Sequence, residues 1–420
     1  KILKWIDDCP NDLFSALTYQ GGKDWRKTLL KVFNNDQDTV NLIQSFNDQE
    51  LNGLMTNLAG HDVEALELAF SKYVNSDKPT CFICYTVKGF GLPLAGHKDN
   101  HSGIMNNNQF NDYKKLMKIR EGQEWSKTEG IQLNINELNS IIKSNPLSKC
   151  NREFSDVLPI KPLKEITFNK FISTQEAFGK IMNELGKVKN SFTNRIITTS
   201  PDVTVSTSLG GWVNKKNIFS THKKTDIYGE KKVFSSQKWK YLPDGQHIEL
   251  GIAENNLFLL LASLGISDKL FGKRILPIGT IYDTFIGRGL DALNYATYID
   301  ARFILVGTPS GVTLSHEGGA HQSILTPNIG ISQPNLAYFE PSYADELEFL
   351  FFWGLEYMQK KEGSSIYFRL STKKLIQPER KLSQKDKQDI IKGCYWLHKP
   401  ETSKPIILIC TGVIIGEVEK

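Results

Sequence analysis

The chain has 420 residues, 40% hydrophobic and 23% charged, a length and composition ordinary for a soluble globular protein of two to three domains with ample core. Its formal net charge of +5 is carried by lysines scattered singly or in pairs, which argues against a nucleic-acid partner, and no apolar run is long enough to span a bilayer, which argues against a membrane partner. The six cysteines, Cys9, Cys81, Cys84, Cys150, Cys394 and Cys410, show no framework spacing, and no signal peptide is evident, so the expected compartment is the cytoplasm.

In chain order, residues 1–70 are polar with helical periodicity, and residues 75–79 turn into a segment, 80–86, with the composition of a buried strand. Inside it, Cys81-Phe-Ile-Cys84 matches the Cys-x-x-Cys spacing of redox and zinc sites. No second cysteine pair stands nearby, and strand filler is the plainer reading. A loop over 87–103 follows, with glycines at 89, 91, 96 and 103 and with Lys88, His97 and His101. A cation and imidazoles on a backbone that permits close approach suit an anion and general-acid site; an ordinary surface loop is the alternative.

Residues 113–165 are polar, weakly patterned and broken by Pro146, Pro159 and Pro162, as an interdomain linker would be. Regular alternation then begins. A helix over 174–185 places Phe178, Ile181, Met182 and Leu185 on one face, and a strand over 195–199 follows. After an apolar helix beginning at Glu254 come a strand over 274–278, a helix over 284–298, a strand over 302–307, a helix over 344–359 and a strand over 365–369. Strands alternating with helices at this spacing imply a parallel sheet covered on both faces, with ligands at the carboxyl ends of its strands.

Several polar groups fall at those ends: Ser200-Pro-Asp202, Tyr282 with Phe285, and the loop holding His316 and His321. The stretch Gly251-Ile-Ala-Glu254 carries a carboxylate into an apolar helix. A buried, unpaired carboxylate is costly, so Glu254 is expected to be protonated, hydrogen-bonded to a specific partner or engaged in acid/base work; capping its own helix is the competing explanation. Residues 404–420 read as one strand and the opening of a helix with nothing to pack them. With Lys1 rather than Met in first place, the chain is expected to be cut from something longer.

Taken together, Lys88-Gly-Phe-Gly with His101, Ser200-Pro-Asp202, Gly251-Ile-Ala-Glu254, Tyr282-x-x-Phe285 and Gly319-Ala-His321-Gln resemble the thiamine-diphosphate enzymes of the transketolase superfamily. Within it the chain is most similar to the homodimeric decarboxylating components of pyruvate dehydrogenase complexes, from about Leu42 to the C terminus. The resemblance implies an α/β fold of tandem doubly wound parallel-sheet domains. Residues 1–112 would be the C-terminal part of the diphosphate-binding domain, 113–165 a linker, 166–378 the pyrimidine-binding domain and 379–420 the start of a truncated C-terminal α/β domain. It implies oxidative decarboxylation of a 2-oxo acid, pyruvate first, with acyl transfer to a lipoyl group of a partner acyltransferase, in a homodimer.

The same resemblance implies residue roles. Glu254 would pass a proton to the far ring nitrogen of the aminopyrimidine, with Tyr282 and Phe285 flanking that ring and Asp202 helping to hold it. Lys88 would lie near the diphosphate, and His101, His316 and His321 would handle protons on the substrate and acyl acceptor. Mg²⁺ is implied too, yet the family's Gly-Asp-Gly metal motif is absent. Pro243-Asp244-Gly245 departs from it and falls in the wrong domain, so no metal ligand is expected here and the ligands are expected upstream of Lys1. Two other functions fit the fold: ketol transfer between sugar phosphates, for which Arg369 would supply a cation, and a non-catalytic subunit.

Overall fold

Buried β-branched and aromatic runs in the second half of the chain supply the strands of a single large sheet. The computed structural model describes all residues except 146, 147, 149–156, 161, 162, 164, 165, 312, 314–317 and 403. It divides into two compact units, Lys1–Ile142 and Lys143–Lys420.

In the second unit the strands are β1 (Phe171–Ile172), β2 (Ile196–Ser200), β3 (Ile218–Phe219), β4 (Tyr241–Leu242), β5 (His247–Glu249), β6 (Leu276–Ile281), β7 (Ile304–Gly307), β8 (Leu336–Phe339), β9 (Ser365–Arg369) and β10 (Leu375–Ile376). Eight of them form one sheet in the order β4-β3-β5-β2-β6-β7-β9-β8, and every pair in it is parallel. β1 and β10 pair separately and antiparallel.

The period-2 alternation of a strand explains why both faces are covered. Ile304 and Val306 of β7 enter one apolar cluster with Phe178, Ile181, Phe351 and Phe368, while Phe303 and Leu305 enter another with Leu257, Phe258, Leu261 and Leu293. The helices Thr174–Lys187 and Ala344–Tyr357 thus pack on one face, and Glu254–Gly265 and Leu290–Tyr298 on the other. The first of these helices begins at a capping box between Ser173 and Glu176, and the predicted stripe of Phe178, Ile181, Met182 and Leu185 is fully buried. The expected helix over 284–298 is interrupted: a 3₁₀ segment, Asp283–Gly289, precedes Leu290–Tyr298.

The first unit is helical around Leu17, Trp25, Leu29, Ile43, Leu51 and Met55, in keeping with the periodicity of residues 1–70. Two expectations fail. Residues 80–86 form no strand and Cys81, Ile83, Cys84 and Tyr85 are exposed, because the described residues of this unit contain no other strand to satisfy the backbone of a lone one. Nor do residues 404–411 form a strand, and the turn beyond them is not unpacked: Val413 and Ile415 join Tyr343 and Leu375 in a small core. Regular structure also reaches into 113–165. The helix Ile135–Ser144 starts where Asn134 Oδ1 accepts from Glu137 N at 2.9 Å and Glu137 Oε2 accepts from Asn134 N at 3.1 Å, an Asn-x-x-Glu signal that the polarity of the segment obscured.

Candidate active site

β6 delivers its last buried residue at Ile281, and the chain then turns into the 3₁₀ segment, so Tyr282 and Phe285 emerge side by side with ring centroids 5.9 Å apart. His321 closes a short 3₁₀ turn, Gly319–His321, and meets both rings, at 5.6 Å and nearly perpendicular to Tyr282 and at 5.7 Å from Phe285. The Arg288 guanidinium lies over Phe285, 3.7 Å from its centroid, and its Nη1 donates to Glu254 Oε1. Glu254, Tyr282, Phe285 and His321 are therefore brought together at the carboxyl end of β6.

Glu254 is 9% exposed, as its helix position foretold, but it is not unpaired. Its hydrogen bond goes to Arg288 rather than to the first turn of its own helix, which sets aside capping as its role. The pairing is economical because Arg288 remains 53% exposed: one partner is desolvated and the other keeps much of its hydration. The surrounding helix is buried on one side only, with Leu257, Phe258 and Leu261 inside and Leu259 exposed.

Asp202 stands past the carboxyl end of β2 with φ of +62°, a backbone conformation unusual for a non-glycine residue. Its N–H donates to Glu249 Oε1 at 2.8 Å, and Thr204 Oγ1 donates to Glu249 Oε2 at 2.7 Å. Fully buried His247 has Thr198 Oγ1 2.9 Å from Nδ1 and Thr204 Oγ1 3.0 Å from Nε2, with Glu249 Oε2 3.5 Å away. Burial alone would raise the Glu249 carboxyl, but the hydrogen bonds from His247, Thr204 and the Asp202 N–H outweigh it and hold it below the usual carboxylate range. A depressed folded value means stability present above the unfolded glutamate value of about 4.3 and lost as pH falls through the folded one. Glu249→Gln should therefore lower the thermal midpoint at pH 6 by more than at pH 3. A deficit independent of pH would refute this assignment.

Lys88 and His101 belong to the first unit. Lys88 Nζ contacts His101 Nδ1, and Asn100 Nδ2 donates to Lys88 O at 2.5 Å. With His97, packed edge-on against Tyr19 at 4.6 Å, they line an open cavity of about 910 Å³. His316 lies outside the described residues. Among the described residues no group of three His, Cys, Asp or Glu is placed to hold a metal ion, and no helix is long and apolar enough to cross a membrane.

Arg288, Asp283 and the pair His247 and Glu249 were not singled out from the sequence. Arg288 follows Phe285 by three residues, a spacing that puts both on one side of a 3₁₀ segment as of an α-helix, but the spacing does not show that this side faces Glu254. Arg369 is not an available cation: it is buried, its Nε donates to Asp283 Oδ2 at 3.1 Å and its Nη1 to Glu340 Oε1 at 2.7 Å.

A parallel sheet with a buried acid and an aromatic pair at the carboxyl end of a central strand places the chain among transketolase-like α/β proteins. In structure it is similar to the transketolase of Campylobacter jejuni, with a TM-score of 0.50 and 16% identity, over 76% of this chain and 46% of that one. Residues 165–375 match the family described as pyruvate dehydrogenase E1 component middle domain, and the chain belongs to that family. It is 24% identical to the pyruvate dehydrogenase E1 component of Pseudomonas aeruginosa over 421 residues and 23% identical to that of Escherichia coli over 408, with 91% of this chain covered each time. It spans about 45% of the length of those two relatives.

Proposed function

We propose that the protein is the decarboxylating component of a pyruvate dehydrogenase complex: a homodimer that releases CO₂ from a 2-oxo acid, pyruvate first, and passes the acyl group to a lipoyl group of a partner acyltransferase. Residues 166–378 are its pyrimidine-binding domain, with 1–112 part of the diphosphate-binding domain, 113–165 between them and 379–420 opening a third α/β domain. Family membership supports this reading, and one observation carries it: a buried carboxylate beside two aromatic rings and an imidazole.

Those residues suit the aminopyrimidine end of thiamine diphosphate. Tyr282 and Phe285 offer aromatic surface to a flat ring, and Glu254 offers a carboxyl group in an apolar wall. When bound, the cofactor supplies an electron sink for the carbon that loses CO₂. Because Arg288 engages Oε1, Oε2 of Glu254 is the oxygen that gives and takes a proton. His321, edge-on to Tyr282 and tilted against Phe285, is placed to move a proton on the substrate carbonyl, and in the first unit Lys88 provides positive charge for a diphosphate with His101 beside it. Asp202, held by Glu249, orients the ring. His316 is assigned a proton-handling role on the resemblance alone. Among the described residues no group of three His, Cys, Asp or Glu is placed to hold Mg²⁺, and no ligand is assigned to it.

Ketol transfer is the weaker reading, since Arg369, its proposed sugar-phosphate cation, is committed to Asp283 and Glu340. CO₂ release from pyruvate, measured beside ketol transfer from a ketose phosphate to an aldose phosphate, by the full-length protein with thiamine diphosphate and Mg²⁺ tests the assignment. Turnover of pyruvate but not of a ketose phosphate is the expected result. The reverse would establish ketol transfer, and silence with both would establish a non-catalytic subunit.

A further inference from the structure

Asp283 is fully buried, yet it follows Tyr282 directly and lies two residues before Phe285. Its carboxylate is filled from three directions. Tyr367 OH of β9 donates to Oδ1, and Arg369 Nε, also of β9, donates to Oδ2 at 3.1 Å. Ser323 Oγ donates to Oδ2, as does Thr326 Oγ1 at 2.6 Å. Burial first, and then the charge of Asp283, push the Tyr367 phenol well above its ordinary value, so it remains a donor. Close approach is possible because β7 ends in glycine: a Cβ on Gly307 would lie 2.8 Å from Asp283 Oδ1 and 2.9 Å from Tyr367 Cε2.

Ser323 and Thr326 are the second and fifth residues after His321, at the start of the helix Thr326–Ser332. One carboxylate therefore joins the segment bearing both aromatic rings, the loop bearing His321 and strand β9. Burying a carboxylate is costly, and a single apolar side chain would pin these segments through packing alone. What four directed hydrogen bonds add is a fixed distance between Tyr282, Phe285 and His321.

We propose that Asp283 is the positioning residue of this site, holding the His321 imidazole edge-on to Tyr282 and tilted against Phe285 through Ser323 and Thr326. Its catalytic consequence rests on the functional reading above, but the geometry can be measured without turnover. In the full-length protein with selectively ¹³C-labelled histidine, the His321 signals, assigned with His321→Gln, should carry ring-current shifts from the two aromatic rings. Asp283→Asn should remove those shifts and lower kcat on pyruvate by roughly ten- to a hundredfold, the scale of an ångström's misplacement, with KM little changed. Ser323→Ala combined with Thr326→Val cuts only the loop tethers and should act alike, and it decides the matter if Asp283→Asn does not fold. Asp268→Asn is the control. It breaks another buried ion pair, with Arg274, before the amino end of β6, and should cost stability while leaving the His321 signals and kcat in place.

Unchanged His321 signals in a folded Asp283→Asn or tether variant overturn the proposal, as does an equal change in Asp268→Asn. A wild-type protein that turns over no pyruvate defeats the functional reading instead, and the histidine signals still decide the positioning.

Discussion

Glu254→Gln should lower turnover a hundredfold or more and leave the fold nearly intact. The amide keeps the volume and can still accept from Arg288, so no cavity opens and no cation is stranded, Arg288 being half in solvent. What it cannot do is give and take a proton, and loss of a positioned acid is worth about 10²- to 10⁴-fold. A hundredfold corresponds to about 2.7 kcal/mol of transition-state stabilisation. The measurement is kcat on pyruvate with full-length protein, alongside circular dichroism and a denaturation midpoint. If the spectrum is unchanged and activity stays within about threefold, too little for a lost general acid, Glu254 serves only as the anchor of Arg288.

That pairing also marks how far sequence alone reached. Burial of Glu254 was legible because its helix is nearly all apolar from Leu257 to Leu264, and the nearness of Tyr282 to Phe285 because both follow a strand of buried residues. The partner of Glu254 was not, since Arg288 lies 34 residues further along and half in solvent, where nothing in the residue pattern marks it. Asp283 was hidden for another reason. Its partners, Ser323, Thr326, Tyr367 and Arg369, come from distant stretches that meet only once β6, β7 and β9 lie side by side.

The same distinction holds for the fold. β6, β7 and β9 showed themselves as apolar runs because they have a strand on either side and are buried on both faces, whereas β3, β4 and β5 are two or three residues long and carry almost no pattern. Residues 80–86 show the converse: strand composition is only a readiness to pair, and with no neighbour it yields an exposed segment.

The largest loss of stability should follow from Phe351→Ala. Phe351 is fully buried on the helix Ala344–Tyr357, between Phe178 of the helix Thr174–Lys187, at 6.0 Å and 64°, and Phe368 of β9, at 6.4 Å. It joins both helices on this face to strand β9 of the sheet. Its three aromatic neighbours, Phe352 included, are rigid rings on regular elements that cannot slump into the vacated space. The cost should therefore lie near the full range for such a truncation, about 3–5 kcal/mol. Since Arg369 follows Phe368 directly and supports Asp283, some loosening of the site should accompany the loss, and activity per folded molecule should fall less than in Asp283→Asn. Urea unfolding of the full-length protein reads the effect as a lower midpoint in the transition of this domain. A change below about 1 kcal/mol, no more than trimming one buried methylene costs, would show that the neighbouring rings close the cavity and that this aromatic cluster is not what fixes the helices to the sheet.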